Sequence, residues 1–166
     1  LLRTTEAHFI LTLYEKRVDA ADLPFFIELM THLSAAGMNC PLPVAARDGQ
    51  ILHELAGRPC ALFSFLDGTF SRFPNRTKCR ALGASLAELH VKSQGVSRHR
   101  ANALGPASWT PLLHSIGTDA NILAEGMHAT ITTRLEPILQ DWPTDLPHGI
   151  IHADLFPNNV LFVGDK

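Results

Sequence analysis

No run of apolar residues in this 166-residue sequence approaches the roughly 20 needed to cross a bilayer as a helix, which argues against a membrane span. Basic residues are neither in excess nor gathered. The 14 Lys and Arg stand against 16 Asp and Glu, for a formal charge of -2, so nothing in the sequence would draw a nucleic acid. Cysteine is scarce and odd in number: Cys40, Cys60 and Cys79 have no CxxC or CxxH spacing, which argues against a zinc site and a disulfide framework and fits idle thiols in a reducing cytosol. There is no internal repeat and no low-complexity tract. The opening LLRTTEAHF has neither a secretory leader's order of basic and apolar regions nor an initiator Met, so the sequence is expected to begin inside a longer, cytoplasmic one.

What is present is ample material for a packed core, 46% of residues being hydrophobic. HFILTLYEK, residues 8–16, is rich in β-branched and aromatic residues and short enough for a strand. LPFFIELMTHLSAAG, residues 23–37, places apolar side chains at 25, 26, 29, 30 and 33, which predicts a helix of about four turns capped by Gly37. The stretch 41–68 alternates short apolar runs with Asp-Gly and Gly-Arg-Pro punctuation. It predicts strand, hairpin turn, strand, turn and strand, ending near Leu66. From Asn75 the pattern becomes helical, with apolar residues at 79, 82, 86 and 89, followed by a loop over 93–108. A second helical stretch is predicted from Asp119 to Trp142, kinked or restarted at Pro137. The chain thus divides into a strand-rich lobe with one helix, 1–67, and a mainly helical lobe, 68–166.

Within the second lobe, GIIHADLFPNNVLF (149–162) sets a histidine, an aspartate and an asparagine between two apolar runs that read as short strands. A loop held by rigid strands presents side chains at a defined and accessible place, which suits chemistry better than core packing. Asp154 and Asn159 can converge across it, supplying a carboxylate that accepts a proton and an amide oxygen that binds a hard cation such as Mg²⁺. Phosphoryl transfer needs these two parts. The nine histidines do not suggest a metal centre. His148 and His152 alone are closely spaced, and on a strand four residues separate side chains by about 13 Å.

HADLFPNN resembles the catalytic loop of the protein-kinase-like superfamily, H-x-D-x-x-x-x-N. Phe156 stands where serine/threonine protein kinases usually carry a lysine, which points to the small-molecule branch, the aminoglycoside-phosphotransferase-like kinases. Within that branch, HADLFPNN, LLRTTEAHFILTLYEKR, MNCPLPV, LGASLAELH and RANALG together resemble the homoserine-kinase family over essentially the whole sequence.

The resemblance implies a two-lobed α+β, protein-kinase-like fold and transfer of the ATP γ-phosphate, with Mg²⁺, to the side-chain hydroxyl of L-homoserine, a step on the route to threonine. It makes Asp154 the catalytic base, Asn159 the Mg²⁺ ligand and His152 a support of the loop. Glu28, on the predicted helix, becomes the carboxylate that steadies a phosphate-binding cation. Thr12 occupies the position where that cation is often found, and Lys16 is the nearest lysine. ALFSFLDG resembles the linker between lobes, so Ser64, Phe65 and Leu66 would line the adenine slot through main-chain groups.

By the same resemblance the phosphate-covering hairpin is expected before Leu1 and the second metal-binding aspartate after Val163. Asp165 reads instead as part of a turn, so the sequence is expected to be incomplete at both ends. Two other readings share these residues: a related kinase acting on an aminoglycoside, choline or a methylthio-sugar, and a non-catalytic nucleotide-binding relative.

Overall fold

The computed structural model describes residues 1–15 and 18–164, so the expectations for Lys16 and Asp165 lie outside the described residues. Five strands form one antiparallel sheet: β1 (Leu2–Arg3), β2 (His8–Leu13), β3 (Pro43–Val44), β4 (His53–Leu55) and β5 (Arg58–Ser64). β5 is its centre. β2 covers one edge of β5, with Ile10 opposite Phe63 and Thr12 opposite Ala61. β3 and β4 share the other edge, with Val44 opposite Leu62 and His53 opposite Cys60. Lying between neighbours on both edges, β5 supplies buried Cys60, Ala61 and Phe63.

The expected hairpin turn at Asp48–Gly49 is a turn, with Ala46 N–H bonded to the Gln50 carbonyl, but β3 and β4 do not pair with each other. The tight hairpin lies one turn later. Ala56 and Gly57, at φ 52° and 71°, join β4 to β5 as a two-residue loop with both residues at positive φ, the geometry that matches strand twist.

Helix α1 (Leu23–Ala35) begins with Pro24 in its first turn, where no N–H is required. It ends as predicted at Gly37 (φ 78°): Met38 N–H reaches the Leu33 carbonyl and Gly37 N–H reaches that of Ser34, the paired bonds of a Schellman cap. Its buried face carries Leu23 and Leu33. α2 (Arg76–Lys92) is started by Asn75, whose side chain accepts from Lys78 N–H at 2.8 Å.

Residues 1–99 with 149–166 form one compact unit and 100–148 another. The second unit holds α3 (Pro106–Ile116) and α4 (Met127–Gln140), with an edge-to-face pair of Trp109 and Trp142. α3 starts inside the segment expected to be a loop, and the helix expected from Asp119 is a 3-10 turn over 117–122 followed by α4. Gly126, at φ 72°, separates the two. Pro137 lies in the last turn of α4 and does not end it, because Asp141 N–H still bonds to the Pro137 carbonyl.

The apolar runs around the polar segment require a correction. GIIH is not a strand, and from the second run only Phe162 pairs, as an isolated bridge to Thr69. A short apolar run becomes a strand only where a sheet edge accepts its hydrogen bonds, and here the available edge belongs to residue 69. No helix among the described residues is long and apolar enough to cross a membrane. The three cysteines are free, and burial pushes the Cys40 thiol up from its ordinary value.

Candidate active site

The polar loop is shaped by two local devices. Ala153 sits at φ 61°, a left-handed conformation that costs a residue with a Cβ and concentrates at functional loops. Pro157–Asn159 forms a single 3-10 turn, closed by Asn159 N–H on the Phe156 carbonyl at 2.9 Å. Proline at the start of that turn has no N–H to leave unpaired.

Between them these devices bring Asn159 back onto Asp154. The amide Nδ2 of Asn159 donates to Asp154 Oδ2 at 2.7 Å and to the Asp154 carbonyl at 2.9 Å. Both neighbours are acceptors, so the amide must present nitrogen to them, and this leaves its Oδ1 directed elsewhere as a hard-oxygen acceptor with no hydrogen bond among the described residues. The second carboxylate oxygen of Asp154 is not used by Asn159, and Asp154 itself is exposed. His152 Nδ1 accepts from Asp154 N–H at 3.3 Å, which leaves the ring proton on Nε2 and ties the imidazole to the loop's own backbone.

Beyond the loop the chain runs extended from Val160 and is held at Phe162, which is 5% exposed against 55% for Leu161 before it. Thr69 and Phe162 exchange both main-chain hydrogen bonds, at 3.0 and 2.9 Å. The Lys78 ammonium lies 5.1 Å from the centroid of the Phe162 ring, a cation–π contact from α2. The loop is therefore anchored to the segment that leaves β5.

That segment begins with Ser64, Phe65 and Leu66. Ser64 N–H bonds to the Leu42 carbonyl while its hydroxyl accepts from Leu42 N–H, and Phe65 N–H reaches the His8 carbonyl at 3.3 Å. Of the three, Leu66 keeps a main-chain N–H without a partner among the described residues.

Glu28 is placed on α1 against the chain that follows α2. Its Oε1 accepts from Ser97 Oγ at 2.7 Å and from Ser97 N–H at 2.8 Å, and Arg98 Nε stands 3.1 Å from Oε2. The Ser97 hydroxyl, then the Ser97 N–H, then Arg98 hold its carboxyl below the ordinary glutamate value. One turn along α1, His32 Nε2 meets the Lys92 carbonyl at 2.8 Å.

Sequence reasoning missed Ser97 and Arg98, about seventy positions from Glu28, and it missed Thr69 and Lys78. No local pattern marks such residues, because their role comes from the close approach of distant segments. Among the described residues no group of three or more His, Cys, Asp or Glu is arranged to hold a metal ion.

Residues 1–166 match the family described as the phosphotransferase enzyme family. Among curated proteins, a homoserine kinase of Bradyrhizobium diazoefficiens is 50% identical over 100% of this chain and 51% of its own length. One of Allorhizobium ampelinum is 51% identical over 100% of this chain and 52% of its own, and one of Azorhizobium caulinodans is 52% identical over 99% and 51%. The chain spans about half the length of the curated relatives it matches.

Proposed function

Since the chain belongs to the phosphotransferase enzyme family, we propose that the whole protein transfers the γ-phosphate of ATP to the side-chain hydroxyl of L-homoserine. The observation that carries this reading is the Asn159 amide, whose Nδ2 donates to Asp154 Oδ2 and to the Asp154 carbonyl, so that a carboxylate proposed as proton acceptor and an amide oxygen proposed as metal ligand stand side by side in one short loop. The naming of relatives about 50% identical as homoserine kinases supports the choice of acceptor.

In the proposed reaction Asp154 accepts the proton of the acceptor hydroxyl. The hydroxyl oxygen forms a bond to the γ-phosphorus, the bond from that phosphorus to the β,γ-bridging oxygen breaks, and ADP leaves with the electron pair. Asn159 Oδ1 is a hard-oxygen donor of the kind Mg²⁺ takes, which makes it the proposed ligand, and a bound Mg²⁺ would neutralise phosphate charge. His152 supports the loop through its hydrogen bond with Asp154 N–H.

On the nucleotide side, residues 1–67 would form the ATP-binding lobe and 68–166 the lobe that carries the loop. The main chain over Ser64, Phe65 and Leu66 would face the adenine, with the Leu66 N–H, unpaired among the described residues, as the donor. Glu28 is proposed to steady a phosphate-side cation, which would join or replace Arg98 on its carboxylate, and Lys16 is the proposed cation. A cytoplasmic location, where ATP and free thiols coexist, fits this reading.

A panel of hydroxyl acceptors offered to the full-length protein with Mg²⁺-ATP tests the proposal. L-homoserine should exceed choline and aminoglycosides by at least about a hundredfold in kcat/KM, because a site that pairs an ammonium and a carboxylate leaves its groups unsatisfied by other ligands. Preference for an aminoglycoside would reject the acceptor while keeping the family.

A further inference from the structure

The linker that leaves β5 and the chain that leaves the catalytic loop touch at a glycine, and we infer that Gly68 is a positioning residue for the metal-holding end of that loop. This rests on the reading of Asn159 as the Mg²⁺ ligand. A Cβ at position 68 would lie 2.9 Å from Leu161 Cβ, 3.4 Å from the Phe162 carbonyl oxygen and 3.5 Å from the Phe162 nitrogen. Two carbons do not approach to 2.9 Å without something shifting.

What would have to shift distinguishes this glycine from the others. Gly37, Gly49, Gly57, Gly126 and Gly164 face open space, and at Gly95 the near atoms belong to the ring of His32, a side chain that can turn at the cost of its bond to the Lys92 carbonyl. At Gly68 the nearest atom is a Cβ, fixed to its own backbone and unable to move by a change of rotamer, and the next two are main-chain atoms. The adjoining residues are locked as well, since Thr69 and Phe162 exchange hydrogen bonds at 3.0 and 2.9 Å and Phe162 is buried.

A side chain at 68 therefore opens that pairing or displaces residues 161 and 162. Leu161 stands two residues after Asn159, about 7 Å along an extended chain. Val160, at φ -125° and ψ 125°, is extended and transmits the displacement. The amide of Asn159 then loses its register on Asp154, and its Oδ1 leaves the position from which it would hold a cation. Absence of a side chain at 68 thus sets the distance between the nucleotide-side linker and the metal ligand.

The test is a double-mutant cycle in the full-length protein: parent, Gly68→Ala, Leu161→Gly, and both together. Leu161→Gly removes the nearest atom that the new Cβ would meet, while the backbone strain of a side chain at φ 155° is common to both backgrounds and cancels from the comparison. Each form is assayed for the Mg²⁺ concentration giving half-maximal phosphotransfer, the KM for the acceptor, Mg²⁺-ADP affinity by calorimetry, and Tm. Gly68→Ala should raise the half-saturating Mg²⁺ about tenfold in the parent while the acceptor KM stays within about twofold, and by less than about threefold in the Leu161→Gly background.

Equal effects of Gly68→Ala in both backgrounds, or loss of Tm with no change in Mg²⁺ requirement, would overturn the inference and leave the function intact. A parent that neither binds Mg²⁺-ADP nor phosphorylates any acceptor would reject the function and the inference together.

Discussion

Asp154 and Asn159 are joined by two hydrogen bonds, yet replacing them should fail in different ways. On the proposed mechanism Asp154→Asn removes the group that takes the acceptor proton while keeping a side-chain carbonyl for the Asn159 amide, and so spares the nucleotide side. Turnover should fall by about 10³-fold, within the usual range for a lost general base, while Mg²⁺-ATP affinity stays within about threefold. Single-turnover phosphotransfer together with calorimetry checks both halves, and turnover within threefold of the parent would remove Asp154 from its role. Asn159→Ala takes away the proposed cation ligand, so the Mg²⁺ needed for half-maximal rate should rise about tenfold and saturating Mg²⁺ should restore much of the turnover. A Mg²⁺ titration that superimposes on the parent's would count against Asn159 as ligand.

The convergence of these two residues was legible in the sequence because their spacing is local, five positions closed by a proline-led turn. Glu28 was legible as a helix residue, but its partners were not. Ser97 and Arg98 reach it only because α1 folds against the chain after α2, a contact that no spacing encodes.

At the scale of elements, α1 is held to the segment 92–98 by two side chains one turn apart, Glu28 on Ser97 and Arg98 and His32 on the Lys92 carbonyl. The Glu28 carboxyl is held below its ordinary value by the Ser97 hydroxyl, the Ser97 N–H and Arg98. A depressed carboxyl pKa means that the unfolded chain takes up its proton first as pH falls. The stabilisation is therefore complete above the ordinary glutamate value of about 4.3 and is lost as pH drops from there through the lower, folded value. Glu28→Gln should accordingly melt below the parent at pH 7, with the difference in Tm closing as pH falls below about 4. Thermal melts of both forms at several pH values check this, and a gap that persists unchanged at pH 3 would contradict it.

Elements with strong local signals were readable: β2 from its β-branched and aromatic run, β5 from a short apolar run set between Gly-Arg-Pro and Asp-Gly punctuation, and α1 from its apolar spacing and the glycine that caps it. α3 was not, because Pro106 and Pro111 mark breaks to a sequence reader although Pro106 occupies the first turn and Pro111 lies inside the helix. GIIH was read as a strand because hydropathy reports burial and says nothing about whether a sheet edge is free to pair.

On the scale of the whole molecule, the family match covers residues 1–166, and the relatives that agree over that length are homoserine kinases about twice as long. Chemistry and acceptor come together in one assay: γ-labelled ATP, Mg²⁺ and L-homoserine with the full-length protein, parent and Asp154→Asn side by side, with the product identified by mass. The account predicts O-phosphohomoserine from the parent and a loss of about 10³-fold from the variant. Equal product from both, or none from a folded parent that binds Mg²⁺-ATP, would contradict it.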